Sequence, residues 1–201
     1  MSDLEALNVS RETFDKLNMF SELVRRWNPK INLVSKTSLD ELWERHIMDS
    51  TQIFSLVKTE GHWVDLGSGG GFPGIVVAIL NQEKERFKVT LVESDQRKCA
   101  FLRTAIRELE LSATVENERI ELLQYQQADV LSARALSDLT SLLGFCEMHL
   151  DPLGVALFPK GKSWKEEDEA ARHLWSYECD AIQSKTDPDA AILKIKEITR
   201  V

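Results

Sequence analysis

Long apolar runs and cysteines are both scarce in this chain. No apolar run approaches the roughly 20 residues that a transmembrane helix needs, so we predict no membrane association. The acidic start at residues 1–5 lacks the basic and apolar regions of a secretory signal peptide. Cys99, Cys146 and Cys179 are odd in number and far apart, which predicts buried thiols rather than disulfides or metal ligands. We therefore expect a cytoplasmic protein without a bound metal.

Positive charge is also in deficit, with 25 Lys and Arg against 33 Asp and Glu and a net charge of −8. Non-specific nucleic-acid binding depends on cations that neutralise phosphates, so this balance argues against that class. Local basic clusters remain, and each of them also fits a solvated helix face. The clusters are Arg25, Arg26 and Lys30; Arg97, Lys98, Arg103 and Arg107; and Lys160, Lys162 and Lys165.

Glycine is rare overall but concentrated, because five of the nine glycines lie between Gly67 and Gly74. An apolar stretch ending at Leu66 precedes this Gly loop and another begins at Ile75, which predicts a strand, a tight turn and a helix. Glycine lets a ligand approach the backbone closely, and Pro73 suits a first helical turn. Since free N–H groups at a helix N-terminus attract anionic groups, the loop indicates a nucleotide-like ligand.

Two helices are predicted in the N-terminal part of the chain. Ser10 is the expected cap of a helix over Arg11–Asn28, which Pro29 ends. The segment Ser38-x-x-Glu41 has the pattern of a capping box and opens a second helix that continues to Val57.

Strand and helix patterns alternate from residue 59 onward. We therefore predict an α/β core over residues 59–201, with residues 1–58 as a helical extension packed on it. The core should hold a mostly parallel seven-stranded sheet with helices on both faces. Only a short polar gap separates the last two strands, which suits a hairpin and makes the last strand antiparallel. The predicted strands are His62–Leu66, Phe87–Glu93, Ala113–Glu116, Ala128–Ala133, Val155–Pro159, Cys179–Lys185 and Ala191–Ile198. The predicted helices are Pro73–Asn81, Asp95–Glu110, Ile120–Gln124, Ser137–His149 and Ser163–Trp175.

Two cofactor templates fit the Gly loop. The glycines from Gly69 to Gly74, with Glu93 about 20 residues further on, satisfy the fingerprint of NAD(P)-binding proteins. Asp65-x-Gly67-x-Gly69-x-Gly71 satisfies the pattern of S-adenosyl-L-methionine enzymes, with Glu93 as the acid for the ribose hydroxyls. The second template is favoured because a carboxylate ends the first strand, no separate substrate domain follows, and the terminal hairpin matches the methyltransferase sheet. Asp65 also fits a structural acid that caps N–H groups of the loop.

Several motifs occur in a characteristic order along the chain. They are Trp27-Asn28-Pro29-Lys30-Ile31-Asn32-Leu33-Val34, Arg45-His46-Ile47-Met48-Asp49-Ser50, the Gly loop with its Phe72-Pro73-Gly74-Ile75 ending, Leu91-Val92-Glu93-Ser94, Ser132-Ala133-Arg134-Ala135 and Lys160-Gly161. Together they resemble the RsmG (GidB) family. The resemblance implies a Rossmann-like sheet and methyl transfer from S-adenosyl-L-methionine to N7 of one guanosine in bacterial 16S rRNA. We then expect 16S rRNA as the partner, in a small-subunit ribosomal particle, and a monomeric enzyme.

The resemblance also implies roles for individual residues. Gly67 and Phe72 match loop residues that line the cofactor pocket, and Glu93 matches the ribose acid. Ile120 and Glu121 match the pair that frames the adenine. Arg134 matches a pocket arginine that positions substrate or cofactor, although salt-bridging arginines are also common. With Asp65 and Gly69 from the template, these residues complete the predicted site.

The chemistry implied by the resemblance needs few catalytic groups. Guanine N7 carries a lone pair and no proton, so no general base is required and alignment supplies most of the rate. His46 is a catalytic candidate, but Asp49 and Arg45 lie at a spacing that favours a structural hydrogen bond. The tryptophans Trp27, Trp43 and Trp63 are predicted to pack in the core.

Three alternatives remain open at the level of sequence. The first is a methyltransferase that uses the same cofactor on a small molecule or a protein. The second is an NAD(P)-binding module. The third is a scaffold that binds S-adenosyl-L-methionine without catalysis.

Overall fold

The computed structural model describes Leu7 and residues 9–201, which include one seven-stranded sheet. The acidic start at residues 1–5 lies outside the described residues. The strands are β1 (Gly61–Leu66), β2 (Phe87–Val92), β3 (Ala113–Glu116), β4 (Ala128–Ala133), β5 (Leu150–Lys160), β6 (Trp175–Gln183) and β7 (Ala191–Arg200).

The sheet order is β3-β2-β1-β4-β5-β7-β6. Strands β1 to β5 pair in parallel, as expected for strands joined by helical crossovers. Strand β7 lies between β5 and β6 and is antiparallel to both. The predicted fold class is therefore confirmed, including the reversed last strand.

Helices flank this sheet and precede it. They are α1 (Arg11–Ile31), α2 (Lys36–Asp40), a π-helical turn (Trp43–Met48), α3 (Asp49–Phe54), α4 (Gly74–Asn81), α5 (Gln96–Glu108), a 3₁₀ turn (Ile120–Leu122), α6 (Leu139–His149) and α7 (Trp164–Ala171). Within the described part of the chain, none of these helices has the length and apolar character needed to cross a membrane.

Helix α1 begins as predicted but ends later than predicted. The Ser10 hydroxyl accepts a hydrogen bond from the Thr13 N–H, which confirms Ser10 as the cap. The predicted end at Asn28 is wrong, because the helix continues through Pro29 to Ile31. It ends at Asn32, whose left-handed backbone lets its N–H cap the Asn28 carbonyl.

The second predicted helix is in fact three pieces. Its cap is Ser35, which accepts from the Ser38 N–H, so the capping box at Ser38 was wrong. A π-helical turn then separates α2 from α3, and such turns are frequent at functional sites. The wider turn carries Ile47 in the core and His46 at the cavities described below.

The N-terminal helices and the sheet share one hydrophobic cluster. Leu17 and Phe20 of α1 are fully buried in it beside Trp63 of β1 and Phe101 of α5. The Phe20 ring lies 5.1 Å from that of Phe72 in the Gly loop. The tryptophan prediction is confirmed, because Trp27 and Trp43 also pack against this cluster. The segment that follows α1 is thereby held beside the Gly loop.

Candidate active site

The Gly loop connects β1 to α4 and forms the floor of the site. Gly67, Gly69 and Gly71 have φ values of 64°, 51° and 86°, a left-handed region that favours glycine. A hydrogen bond of 2.7 Å from the Gly71 N–H to the Ser68 carbonyl closes the turn. Among the described residues, a Cβ on Gly69 would meet only the Gly67 carbonyl oxygen within 4 Å, at 3.6 Å. The backbone therefore lies open to a ligand at this point.

Asp65 supports the loop from inside the protein. Its carboxylate is fully buried and accepts from the Gly74 N–H at 3.2 Å and the Ser132 hydroxyl at 2.7 Å. Burial raises the pKa of the Asp65 carboxyl to about 6, against the opposing effect of these hydrogen bonds. Asp65 does not line the cavity described next, so it shapes the loop without facing the space above it.

Glu93 follows β2 and joins that strand to the Gly loop. One carboxylate oxygen accepts from the Gly69 N–H at 2.9 Å, and the other accepts from the Asp95 N–H at 2.8 Å. Each carboxylate oxygen can accept more than one hydrogen bond. The side chain therefore keeps acceptor capacity for hydroxyl groups of a ligand while it fixes the loop.

The first cavity lies above the Gly loop and has a volume of about 670 Å³. This size falls within the range of small-molecule sites. Seven of the eight predicted site residues line it: Gly67, Gly69, Phe72, Glu93, Ile120, Glu121 and Arg134. A loop backbone, an acid after β2 and a segment after β3 therefore face one space. That arrangement suits an adenosine with a charged amino-acid tail.

Arg134 follows β4 and lies at the centre of a cluster of polar residues, the polar group, at the edge of this cavity. Its guanidinium donates to the Arg45 carbonyl at 3.2 Å and pairs with the Asp49 carboxylate at 3.4 Å. It also lies 5.2 Å from the centroid of the Phe72 ring. Burial lowers the pKa of this guanidinium from its ordinary value, an effect that Asp49 opposes. Arg134 therefore forms a salt bridge and also lines the cavity, and its role in positioning substrate or cofactor stays a prediction.

His46 is hydrogen-bonded, but its partner differs from the prediction. Arg134 donates to its Nδ1 at 2.5 Å, whereas the sequence spacing indicated Asp49 and Arg45. The ring stacks on Phe72 with the centroids 5.0 Å apart. Burial, then Arg134 and Arg45, lower the pKa of His46 to about 3. Burial, aided by the nearby charge of Arg134, therefore keeps the imidazole neutral near pH 7.

A second cavity of about 650 Å³ adjoins the first. Five residues line both cavities: Ser38, His46, Arg134, Ala135 and Ser137. On its far side lie Lys160 and residues of the β6–β7 hairpin loop, among them Thr186 and Asp187. The two cavities meet at the polar group around Arg134.

Sequence reasoning missed two residues that organise this second cavity. Asp49 pairs with Arg134 through one oxygen and accepts from the Thr186 hydroxyl at 3.2 Å through the other. Lys160 is 9% exposed, pairs with Glu167 at 2.6 Å and donates to the Ser137 carbonyl at 2.8 Å. Both lie in motifs that were recognised, but nothing in the sequence indicates their distant partners.

Solved structures share this architecture. A TehB-like SAM-dependent methyltransferase from Corynebacterium glutamicum matches with a TM-score of 0.55 and 15% identity, covering 77% of this chain and 88% of that one. A SAM-dependent methyltransferase from Aquifex aeolicus matches with a TM-score of 0.59 and 13% identity, covering 81% and 98%. At these identities the likeness establishes the fold.

Together with the family match over residues 13–189, the sheet, the Gly loop and the acid after β2 make this chain a methyltransferase that uses S-adenosyl-L-methionine. A family model described as GidB, rRNA small subunit methyltransferase G, matches residues 13–189. The chain belongs to this family. "Ribosomal RNA small subunit methyltransferase G" of Ruegeria sp. is 57% identical, covering 97% of this chain and 96% of its own length. The protein of the same name from Ruegeria pomeroyi is 56% identical, covering 99% and 98%.

Proposed function

We propose that the protein transfers the methyl group of S-adenosyl-L-methionine to N7 of a guanosine in bacterial 16S rRNA. The observation that carries this proposal is the family match over residues 13–189, combined with a cofactor-sized cavity that adjoins a second one. The cofactor supplies an electrophilic methyl group when bound. The residues of the chain bind, orient and shield the reactants.

We assign the first cavity to the cofactor. The backbone of Gly67 and Gly69 lies beside the cofactor, and the Glu93 carboxylate accepts hydrogen bonds from the ribose hydroxyls. Ile120 and Glu121 frame the adenine. Arg134 lies at the junction of the two cavities, where we place the reacting centre, and Phe72 lies beside it in the first cavity. The open space above Gly69 and the free acceptor capacity of Glu93 support this orientation.

We assign the second cavity to the acceptor base. Each of its three cationic side chains is paired with a carboxylate: Arg45 with Glu41, Arg134 with Asp49, and Lys160 with Glu167. A phosphate would have to displace one of these partners, whereas a neutral base would not. The carboxylates of Glu44 and Asp187 add further negative charge to the wall. Such charge favours the positive charge that reaches the purine as N7 is methylated.

The state of His46 agrees with a reaction that needs no general base. Its Nδ1 accepts from Arg134, and its pKa of about 3 keeps the ring neutral near pH 7. Because N7 carries no proton, no group has to remove one. His46 instead holds Arg134 and Phe72 in position by a hydrogen bond and by ring stacking.

We further propose that the monomeric protein acts in the cytoplasm on a small-subunit ribosomal particle. A net charge of −8 gives weak attraction to RNA phosphates. Shape recognition within a folded particle adds contacts that do not depend on phosphate charge.

The proposal is tested with small-subunit particles from cells that lack the protein. After incubation with S-adenosyl-L-methionine, nuclease digestion and mass spectrometry should detect one new 7-methylguanosine. Naked 16S rRNA serves as the comparison substrate, and the Glu93→Gln variant is expected to be slower. If neither RNA substrate is methylated by protein that binds S-adenosyl-L-homocysteine, the assigned acceptor is wrong while the cofactor site stands.

A further inference from the structure

We propose that His149 is a positioning residue that holds the adenine-recognising turn of the cofactor site. This inference rests on the proposed placement of the adenine at Ile120 and Glu121. His149 does not line the cofactor cavity. It acts through the backbone of the 3₁₀ turn.

The geometry around His149 fixes its protonation pattern. It is the last residue of α6, is 1% exposed, and has Nε2 at 2.9 Å from the Ile120 carbonyl oxygen. A carbonyl oxygen can only accept, so Nε2 carries the proton. A donor on α6 therefore fixes the carbonyl of a residue that lines the cavity.

The other ring nitrogen, Nδ1, indicates that a need to fill space does not by itself explain why a histidine occupies position 149. Nδ1 is buried and has no hydrogen-bond partner among the described residues. An unpaired buried polar atom is destabilising, and an apolar side chain of similar size would avoid that penalty. The hydrogen bond to Ile120 is the interaction that only a donor at this position can make.

The segment around the turn is held at a second point of the same junction. The Tyr125 hydroxyl donates to the Leu150 carbonyl at 3.2 Å, directly after the end of α6. Phe145, one helical turn before His149, lines the cofactor cavity. Helix α6 therefore supplies one wall of the cavity and the anchor of the turn that crosses it. Leu122 of that turn is 69% exposed, so contacts on its outer side are few.

A fixed turn should distinguish adenine from hypoxanthine. Adenine offers a donor at its 6-amino group and an acceptor at N1, and hypoxanthine reverses both. A rigid segment that pairs with one pattern leaves groups unpaired with the other. A loosened segment adapts to both patterns. His149 should therefore control base selectivity more than it controls the rate of methyl transfer.

The experiment measures binding of S-adenosyl-L-homocysteine and S-inosyl-L-homocysteine by calorimetry. We expect wild-type protein to prefer the adenine compound by at least about tenfold, the effect of leaving polar groups unpaired. His149→Leu, which removes the donor, should lower that preference at least about threefold. His149→Gln, which places a donor near the position of Nε2, should restore most of it. His173→Leu alters an exposed histidine and should keep the wild-type ratio.

Two results would overturn the inference. The first is a His149→Leu protein that melts cooperatively and still prefers S-adenosyl-L-homocysteine over S-inosyl-L-homocysteine as strongly as the wild type does. The second is wild-type protein that binds both compounds equally well. If the Leu variant does not fold, His149→Asn takes its place, because its shorter side chain withdraws the donor. No RNA is present, so failure here is separate from failure of the proposed methyl acceptor.

Discussion

Asp65→Asn tests how the protein maintains a charge beneath the Gly loop. The carboxylate is fully buried, and burial raises its pKa from 3.8 to about 6. The unfolded chain ionises more easily than the folded one, so the charge at pH 7 destabilises the folded protein. The amide of asparagine has nearly the same shape, can accept from the Gly74 N–H and can donate to the Ser132 hydroxyl. It removes the charge and keeps the Gly74 contact, whereas the Ser132 contact reverses direction and the Ser132 hydroxyl proton loses its carboxylate acceptor.

The pKa shift gives the expected size and pH dependence of this effect. A rise from 3.8 to about 6 corresponds to about 3 kcal/mol at pH 7, since one pKa unit is worth about 1.4 kcal/mol. Because the folded pKa is raised, the penalty is absent below the unfolded pKa and grows as the pH rises toward about 6. The variant should therefore be up to about 3 kcal/mol more stable at pH 7 and about 1.5 kcal/mol more stable at pH 5.

Urea unfolding at pH 7 and pH 5 measures both quantities. Asp180→Asn, at an exposed position of β6, is the matched control and should change the free energy of unfolding little at either pH. Two outcomes refute the reasoning: an Asp65→Asn protein less stable than wild type at pH 7, or an advantage that is the same at both pH values. The first would mean that hydrogen bonds to the ionised form outweigh its desolvation, and the second would mean that the advantage does not come from a raised pKa of Asp65.

Three further substitutions test the loop, the ribose acid and the junction. Gly67→Ala places a Cβ 2.6 Å from Leu136 at a φ of 64°, and should cost about 1–2 kcal/mol in urea unfolding; unchanged stability would contradict this. Glu93→Gln should raise the KM for S-adenosyl-L-methionine about tenfold in steady-state methylation, because charge-assisted hydrogen bonds are lost; an unchanged KM would exclude Glu93 from cofactor binding. Arg134→Lys keeps the charge but loses the planar fork that reaches Arg45 and His46. It should lower kcat more than it weakens S-adenosyl-L-homocysteine binding by calorimetry, and the reverse pattern would place Arg134 at the cofactor alone.

The parts of the site that sequence predicts are those set by local chemistry. The Gly loop was predictable because positive φ values require glycine at defined positions after a buried strand. Glu93 was predictable because parallel strands bring their carboxyl ends to one edge of the sheet. The reversed β7 followed from the length of the gap before it.

Other parts depend on contacts between distant segments and leave no local pattern. Arg134 binds His46, which is 88 positions away, and this pairing replaces the nearer partners that helical spacing indicated. Asp49 meets Thr186 across 137 positions. The π-helical turn was not visible for a related reason, because Ile47 within it is fully buried in a core cluster formed by distant segments. Tertiary packing decides these features.

The position of β7 affects the order in which a growing chain can complete the two cavities. The wall of the first cavity ends at Phe145, whereas the second needs residues 184–192, from the β6–β7 hairpin. Until β7 inserts, β5 lacks its neighbour on one edge, and Asp49 lacks the Thr186 hydroxyl. During synthesis from the N-terminus, every residue that lines the first cavity therefore emerges before the wall of the second cavity is complete. The second cavity, to which we assign the acceptor base, is therefore completed after the first.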